Sequence, residues 1–119
     1  MAILLDHTII PAHDREVSAR FFARIFGLTY EGVHGHFAPV RINDTLTFDF
    51  DTDTDFKPQH YAFRVGEAEF DTMFSRIKDE NIPYGSGPGT PDDMKTYTHK
   101  GRRGFYFRDP AGHLLELLT

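Results

Sequence analysis

Two histidines and two carboxylates occupy matching places in the two halves of this chain, and they are its first candidates for chemistry. His7 lies in the opening apolar run and His60 in a second run of the same kind. Asp49 sits in Phe48-Asp49-Phe50 and Glu116 in Leu115-Glu116-Leu117. Brought together, two imidazoles and one or two carboxylates form a ligand set for Zn²⁺, Ni²⁺, Fe²⁺ or Mn²⁺, with positions left open for water or substrate. Glu116 makes the strongest demand. In a strand, Leu114, Glu116 and Leu118 share one side while His113, Leu115 and Leu117 share the other. Both sides are apolar. A lone buried carboxylate is costly, so Glu116 requires a cationic, hydrogen-bonding or metal partner.

The elements that must position these groups follow from pattern. Residues 3–10 read as a strand closed by Pro11, with Ile3, Leu5, His7 and Ile9 on one face. Residues 14–26 read as a helix: Val17, Phe21 and Ile25 recur at helical spacing, Phe22 and Phe26 widen the stripe, and Gly27 stands at the C-terminal cap. Three short strands follow near 28–32, 36–42 and 45–50, and the acidic stretch 51–58 reads as a loop. The plan then restarts. Residues 60–65 form a strand, 67–80 a helix with Phe70, Met73, Phe74 and Ile77 on one stripe, and 85–95 a long irregular loop of the kind that lids sites. Strands near 96–99, 103–108 and 113–118 close the chain, with an Asp109-Pro110-Ala111-Gly112 turn before the last. The two halves therefore match as β-α-β-β-β, twice, a duplication in which neither half buries its sheet alone. Packed about a pseudo-twofold axis, the halves would bring His7, Asp49, His60 and Glu116 to one cavity.

Bulk properties bound the function. The 119 residues suit one domain, 1–119, with module one at about 3–50 and module two at about 59–118. No apolar run approaches the ~18 residues of a membrane span, and cysteine is absent, which makes the cytoplasm the default location. The formal charge of −5 disfavours nucleic acid as a partner. Of the other histidines, His13, His34, His36, His99 and His113 read as surface or loop residues. Asp51, Asp53 and Asp55 lack the Gly and later Glu of a calcium loop and read as solvated charge.

With these residues placed, the whole chain resembles the vicinal oxygen chelate superfamily: glyoxalase I, bleomycin-resistance proteins, fosfomycin-resistance enzymes and extradiol dioxygenases. The resemblance rests on Asp6-His7, on His60-Tyr61-Ala62-Phe63, and on the tail from Phe105 through Asp109-Pro110-Ala111-Gly112 to Glu116. It implies an α+β fold of paired βαβββ modules forming a curled mixed sheet around a metal-binding cleft. By the same match His7, His60 and Glu116 fall on the metal-ligand positions. Asp49 falls where glyoxalase I carries a further ligand Glu that serves as catalytic base, and it is one methylene shorter. Ile9 replaces the Thr that fosfomycin enzymes place two residues after the first ligand. Bleomycin-binding members lack the metal triad that this chain keeps.

The implied function is a divalent-metal enzyme (Zn, Ni, Fe or Mn) of glyoxalase type, a lyase or isomerase acting on a small substrate chelated through adjacent oxygens. The alternatives are an Fe(II) extradiol-type dioxygenase and a fosfomycin-type thiol transferase or non-catalytic binding protein. Arg64 and Tyr106 are candidate substrate contacts, with Lys100, Arg102 and Arg103 available at the rim for an anionic ligand. Members of this size are expected to be homodimers.

Overall fold

Phenylalanines build both cores, and the strands that carry them alternate core side with open side. The computed structural model describes residues 2–119, and these divide into two compact units, 2–57 and 58–119.

In the first unit, β1 (His7–Ala12) runs parallel to β3 (Thr47–Thr52), which pairs antiparallel with β2 (Ala38–Arg41), so that β3 lies in the centre. Helix α1 (Arg15–Phe26) covers one face. Asp14 caps it by accepting from the Glu16 and Val17 amides, and Gly27 ends it in the left-handed region at φ 69°. Phe22 of α1 meets Phe26, Phe48 and Phe50 with ring centroids 5.0–5.7 Å apart. Ile10, Ala12, Ala38 and Val40 complete this buried side. Because residues in register point the same way, His7, Ile9, Thr47, Asp49, Pro39 and Arg41 share the opposite face.

The second unit repeats the plan with more strands. β4 (His60–Arg64) runs parallel to β8 (Leu114–Leu118); β8 pairs with β7 (Arg102–Arg108), which also pairs with β5 (Tyr84–Gly85) and β6 (Tyr97–His99). Helix α2 (Glu67–Asp79) supplies Phe70, Met73 and Ile77 to the core, and Phe70 packs edge-on against Phe105 at 5.3 Å. The α+β class and the repeated β-α-β order are as the sequence implies.

Several local expectations are corrected. Strand β1 starts at His7 rather than residue 3, and it continues through Pro11, which pairs with Asp51. A proline is tolerated because β1 is the edge of its sheet. Residues 28–32 give only an isolated bridge, Tyr30 to Val40. Val17 is half exposed, and Ser18 and Ala19 take its place on the buried stripe of α1. His113, read as a surface residue, is wholly buried: its Nδ1 accepts the Gln59 amide at 2.8 Å, and Tyr61 lies edge-on to its ring. Parity puts it on the core face with Leu115 and Leu117.

The turn leading into β8 depends on Asp109, which is 5% exposed. Its Oδ1 accepts the amides of Ala111 at 3.0 Å and His113 at 2.8 Å, while Oδ2 has no hydrogen-bond partner. Burial raises this carboxyl above its ordinary 3.8, against an opposing pull from His113 and the backbone amides. The folded state therefore holds the proton more tightly than the unfolded chain. This group's contribution to stability falls as pH rises from 3.8 through the raised value. Asp109→Ala should cost about 1–3 kcal/mol in urea unfolding by leaving turn amides unpaired. Asp109→Asn should cost less, and the parent-minus-Asn stability difference should lose its pH dependence above that window.

Candidate functional site

Register places the candidate residues by the same rule in both units. In the second, His60 stands opposite Leu114, and Glu116 is two residues further along β8, between Ala62 and Tyr106. In the first, His7 stands opposite Thr47, and Asp49 is two residues further along β3, between Ile9 and Pro39. Each acid is thus the diagonal neighbour of its histidine on one open face.

The second unit holds the more developed arrangement. His60 Nδ1 lies 2.9 Å from the Leu114 carbonyl oxygen. A carbonyl only accepts, so Nδ1 carries the hydrogen and, in the neutral ring, Nε2 presents its lone pair. That Nε2 lies 3.3 Å from Glu116 Oε1. A ring lone pair and a carboxylate oxygen are both acceptors, and facing each other they need a proton or a cation between them. The Glu116 side chain is 13% exposed, so water screens it poorly. The donor set and its orientation fit a divalent metal, His60 through Nε2 and Glu116 through Oε1.

Aromatic rings wall this pair. Tyr106 stacks on His60 with centroids 5.8 Å apart, and Tyr97 lies 5.8 Å from Tyr106. The Tyr97 hydroxyl donates a hydrogen bond to Glu116 Oε2. Burial first, then the hydrogen bond to Glu116 and its charge, raise the Tyr97 phenol; burial and the Glu116 charge raise that of Tyr106. Tyr97, Tyr106 and Glu116, with Ser86, Thr98 and His99, line an open cavity of about 380 Å³. Ser86 belongs to the long loop, which Asp93 cinches by accepting from the Ser86 and Lys95 amides, each at 3.0 Å.

In the first unit His7 is exposed, and its Nδ1 donates to Asp6 Oδ2 at 2.8 Å. This holds the ring with Nε2 outward, the carboxylate–histidine arrangement that orients imidazole ligands. The Asp6 hydrogen bond and charge raise the His7 pKa, and the Asp49 charge adds to them. Among the described residues, no three His, Cys, Asp or Glu side chains come together as a metal group.

The remaining candidates divide by geometry. Arg64 and Arg102 share the face of Glu116 by register. Lys100 sits with Gly101 in the two-residue turn joining β6 to β7, both with positive φ. Arg103 is on the other face, where Glu67 Oε1 at 2.7 Å and Asp71 Oδ1 at 2.9 Å hold its guanidinium, 4.3 Å above the Phe70 ring. It fastens α2 to β7 and is withdrawn from the rim. Tyr97 is the residue that reading the sequence missed. The signal was present: a Lys100-Gly101 turn pairs 99 with 102 and hence Tyr97 with Gly104, and a glycine inside a strand marks a close approach.

In metal-free protein the His7 ring should titrate above the ordinary 6.5, and Asp6→Asn should return it towards that value, as read from ring-proton shifts against pH. The associated stability is present below 6.5 and is lost as pH rises through the raised value, so Asp6→Asn should flatten that dependence.

Known proteins share this fold. Oxidase ChaP-H2 is 42% identical with a TM-score of 0.94, over 100% of this chain and 94% of its own. Glutathione transferase FosA of Serratia marcescens is 27% identical over 120 residues, covering 95% of this chain and 78% of that protein. The lactoylglutathione lyase of Agrobacterium tumefaciens shares the fold, with a TM-score of 0.72 at 19% identity over 98% of this chain and 92% of its own. The profile of the Glyoxalase/Bleomycin resistance protein/Dioxygenase superfamily matches residues 4–117, and the chain belongs to that superfamily.

Proposed function

We propose that this protein is a metal-dependent oxidase of a small oxygenated substrate, with His7, His60 and Glu116 as the metal ligands. One observation carries the reading: His60 Nε2 and Glu116 Oε1, both acceptors, face each other at 3.3 Å and need a cation or proton between them. Two histidines and one carboxylate are the ligand set of non-haem iron oxygenases. The full-length likeness to an oxidase at 42% identity favours oxidation over isomerisation. A divalent metal held by these groups supplies Lewis-acid polarisation of a substrate oxygen and, as iron, electron exchange with dioxygen.

The chain's own residues do the rest. Asp6 fixes the His7 tautomer, and the Leu114 carbonyl fixes that of His60. Tyr97 and Tyr106 present an aromatic wall suited to a planar substrate. Arg64 and Arg102, which share the face of Glu116, would meet an anionic group, with Lys100 in the turn next to Arg102. The homodimer expected for this family fits the exposed apolar side chains of Ile3, Leu4, Leu5 and Ile9. Light scattering should report twice the 13.7 kDa chain mass.

A second reading, a glyoxalase-type lyase, has one observation in its favour. Asp49 is near enough to His7 on the same sheet face for its charge to act on that ring, which suits a general base beside a polarised carbonyl.

The deciding experiment is metal analysis of protein purified without added metal or chelator, together with oxygen uptake using 1,2-dihydroxybenzene as probe. The oxidase reading expects near-stoichiometric iron, iron-dependent oxygen consumption, and loss of both in Glu116→Ala. Zinc or nickel, with isomerisation of an α-oxoaldehyde–thiol hemithioacetal that Asp49→Asn abolishes without loss of metal, would transfer the proposal to the lyase. Absence of metal, with none taken up when Fe²⁺, Zn²⁺, Ni²⁺ or Mn²⁺ is supplied, would overturn both.

A further inference from the structure

Glu116 has two oxygens, and the fold assigns them separate partners. Oε1 faces His60 Nε2 at 3.3 Å, and Oε2 takes the Tyr97 hydroxyl. Tyr97 reaches it from β6, across the intervening strand β7, because its ring lies close over Gly104. A Cβ built at Gly104 would meet Cζ, the hydroxyl oxygen and Cε2 of Tyr97 at 2.1–2.4 Å. No residue with a side chain fits under that ring in its present position. Tyr106 beside it and the hairpin turn at Lys100-Gly101 limit where the phenol can go.

We infer that Tyr97 is a positioning residue for Glu116: seated on Gly104, it holds Oε2 so that the carboxylate offers Oε1 alone, alongside His60 Nε2, to a metal. The inference rests on the metal-centre reading above and deepens it. Without the Tyr97 phenol, Glu116 keeps His60 and the interaction with Tyr106, but Oε2 loses the hydrogen bond that fixes its last torsion. Side-chain hydrogen bonds of this kind set the orientation of a ligating carboxylate, and their loss weakens metal binding about 10–100-fold. Gly104 belongs to the device although it touches no ligand, since its missing side chain gives Tyr97 its seat.

The test uses EDTA-stripped full-length protein titrated with Co²⁺, followed by its visible absorption, with no assay of turnover. Tyr97→Phe keeps the ring and removes only the hydroxyl. It should weaken Co²⁺ binding about 10–100-fold and alter the shape of the cobalt spectrum. Gly104→Ala retains the Tyr97 hydroxyl but displaces the ring that carries it, and it should reproduce both changes. The double variant should lose no more than either single one, because both remove one interaction. Equal affinity and superimposable spectra for the parent and Tyr97→Phe would overturn the role of Tyr97 while leaving the metal centre standing. A parent that takes up no Co²⁺ would overturn the metal centre and this inference with it. Should Tyr97→Phe fail to fold by circular dichroism, Gly104→Ala decides on the same criteria.

Discussion

A carboxylate set into an apolar strand needs partners, and the arrangement of the second unit follows from supplying them to Glu116. Its side chain is 13% exposed, in a strand whose neighbours on both sides are leucines. The parallel neighbour β4 brings His60 to one oxygen, and β6, across β7, brings Tyr97 to the other. Small residues keep the approach open, since Ala62 stands opposite Glu116 and Gly104 lies beneath Tyr97. The reverse side of the same strands, with Leu115, Leu117, Phe105 and Phe107, is fully buried. One face is thus committed to packing and the other carries the candidate site.

The first unit runs the same backbone plan with different side chains. His7 and Asp49 occupy the diagonal that His60 and Glu116 occupy in the second, on the same parallel pairing of opening and closing strands. The partners differ. The His7 Nδ1 proton goes to the Asp6 carboxylate, whereas that of His60 goes to the Leu114 carbonyl. Asp49 is shorter than Glu116 and acts on its histidine through charge. Duplicated backbone geometry therefore carries a histidine and an acid held in different ways in the two units.

Charge elsewhere is spent on the scaffold. Arg103 ties α2 to β7 through Glu67 and Asp71 over the Phe70 ring, and Asp93 organises the long loop beside the cavity. Asp109 is the costly case: its carboxyl is buried to satisfy the amides of the turn that launches β8. Glu116 reaches its register only if that turn holds. The stability of a turn and the placement of a candidate ligand are linked in this way.

What the sequence determined by itself was everything carried by period and repeat. The two helices, the matched His and acid positions, and the two faces of the last strand are local patterns, and alternation or helical spacing settles them. His113 shares its parity with Leu115 and Leu117, but reading it as a surface residue failed, because its burial is decided by what packs on that face. Tertiary structure alone decided which strands pair. The parallel register of β4 with β8 sets His60 Nε2 against Glu116 Oε1, and the β6–β7 hairpin lays Tyr97 over Gly104. It also took Arg103 to the far face and gave residues 28–32 no strand of their own. The reason is physical: side-chain direction is a property of each short segment, while strand neighbours and hydrogen-bond partners are chosen by packing between segments far apart in the chain.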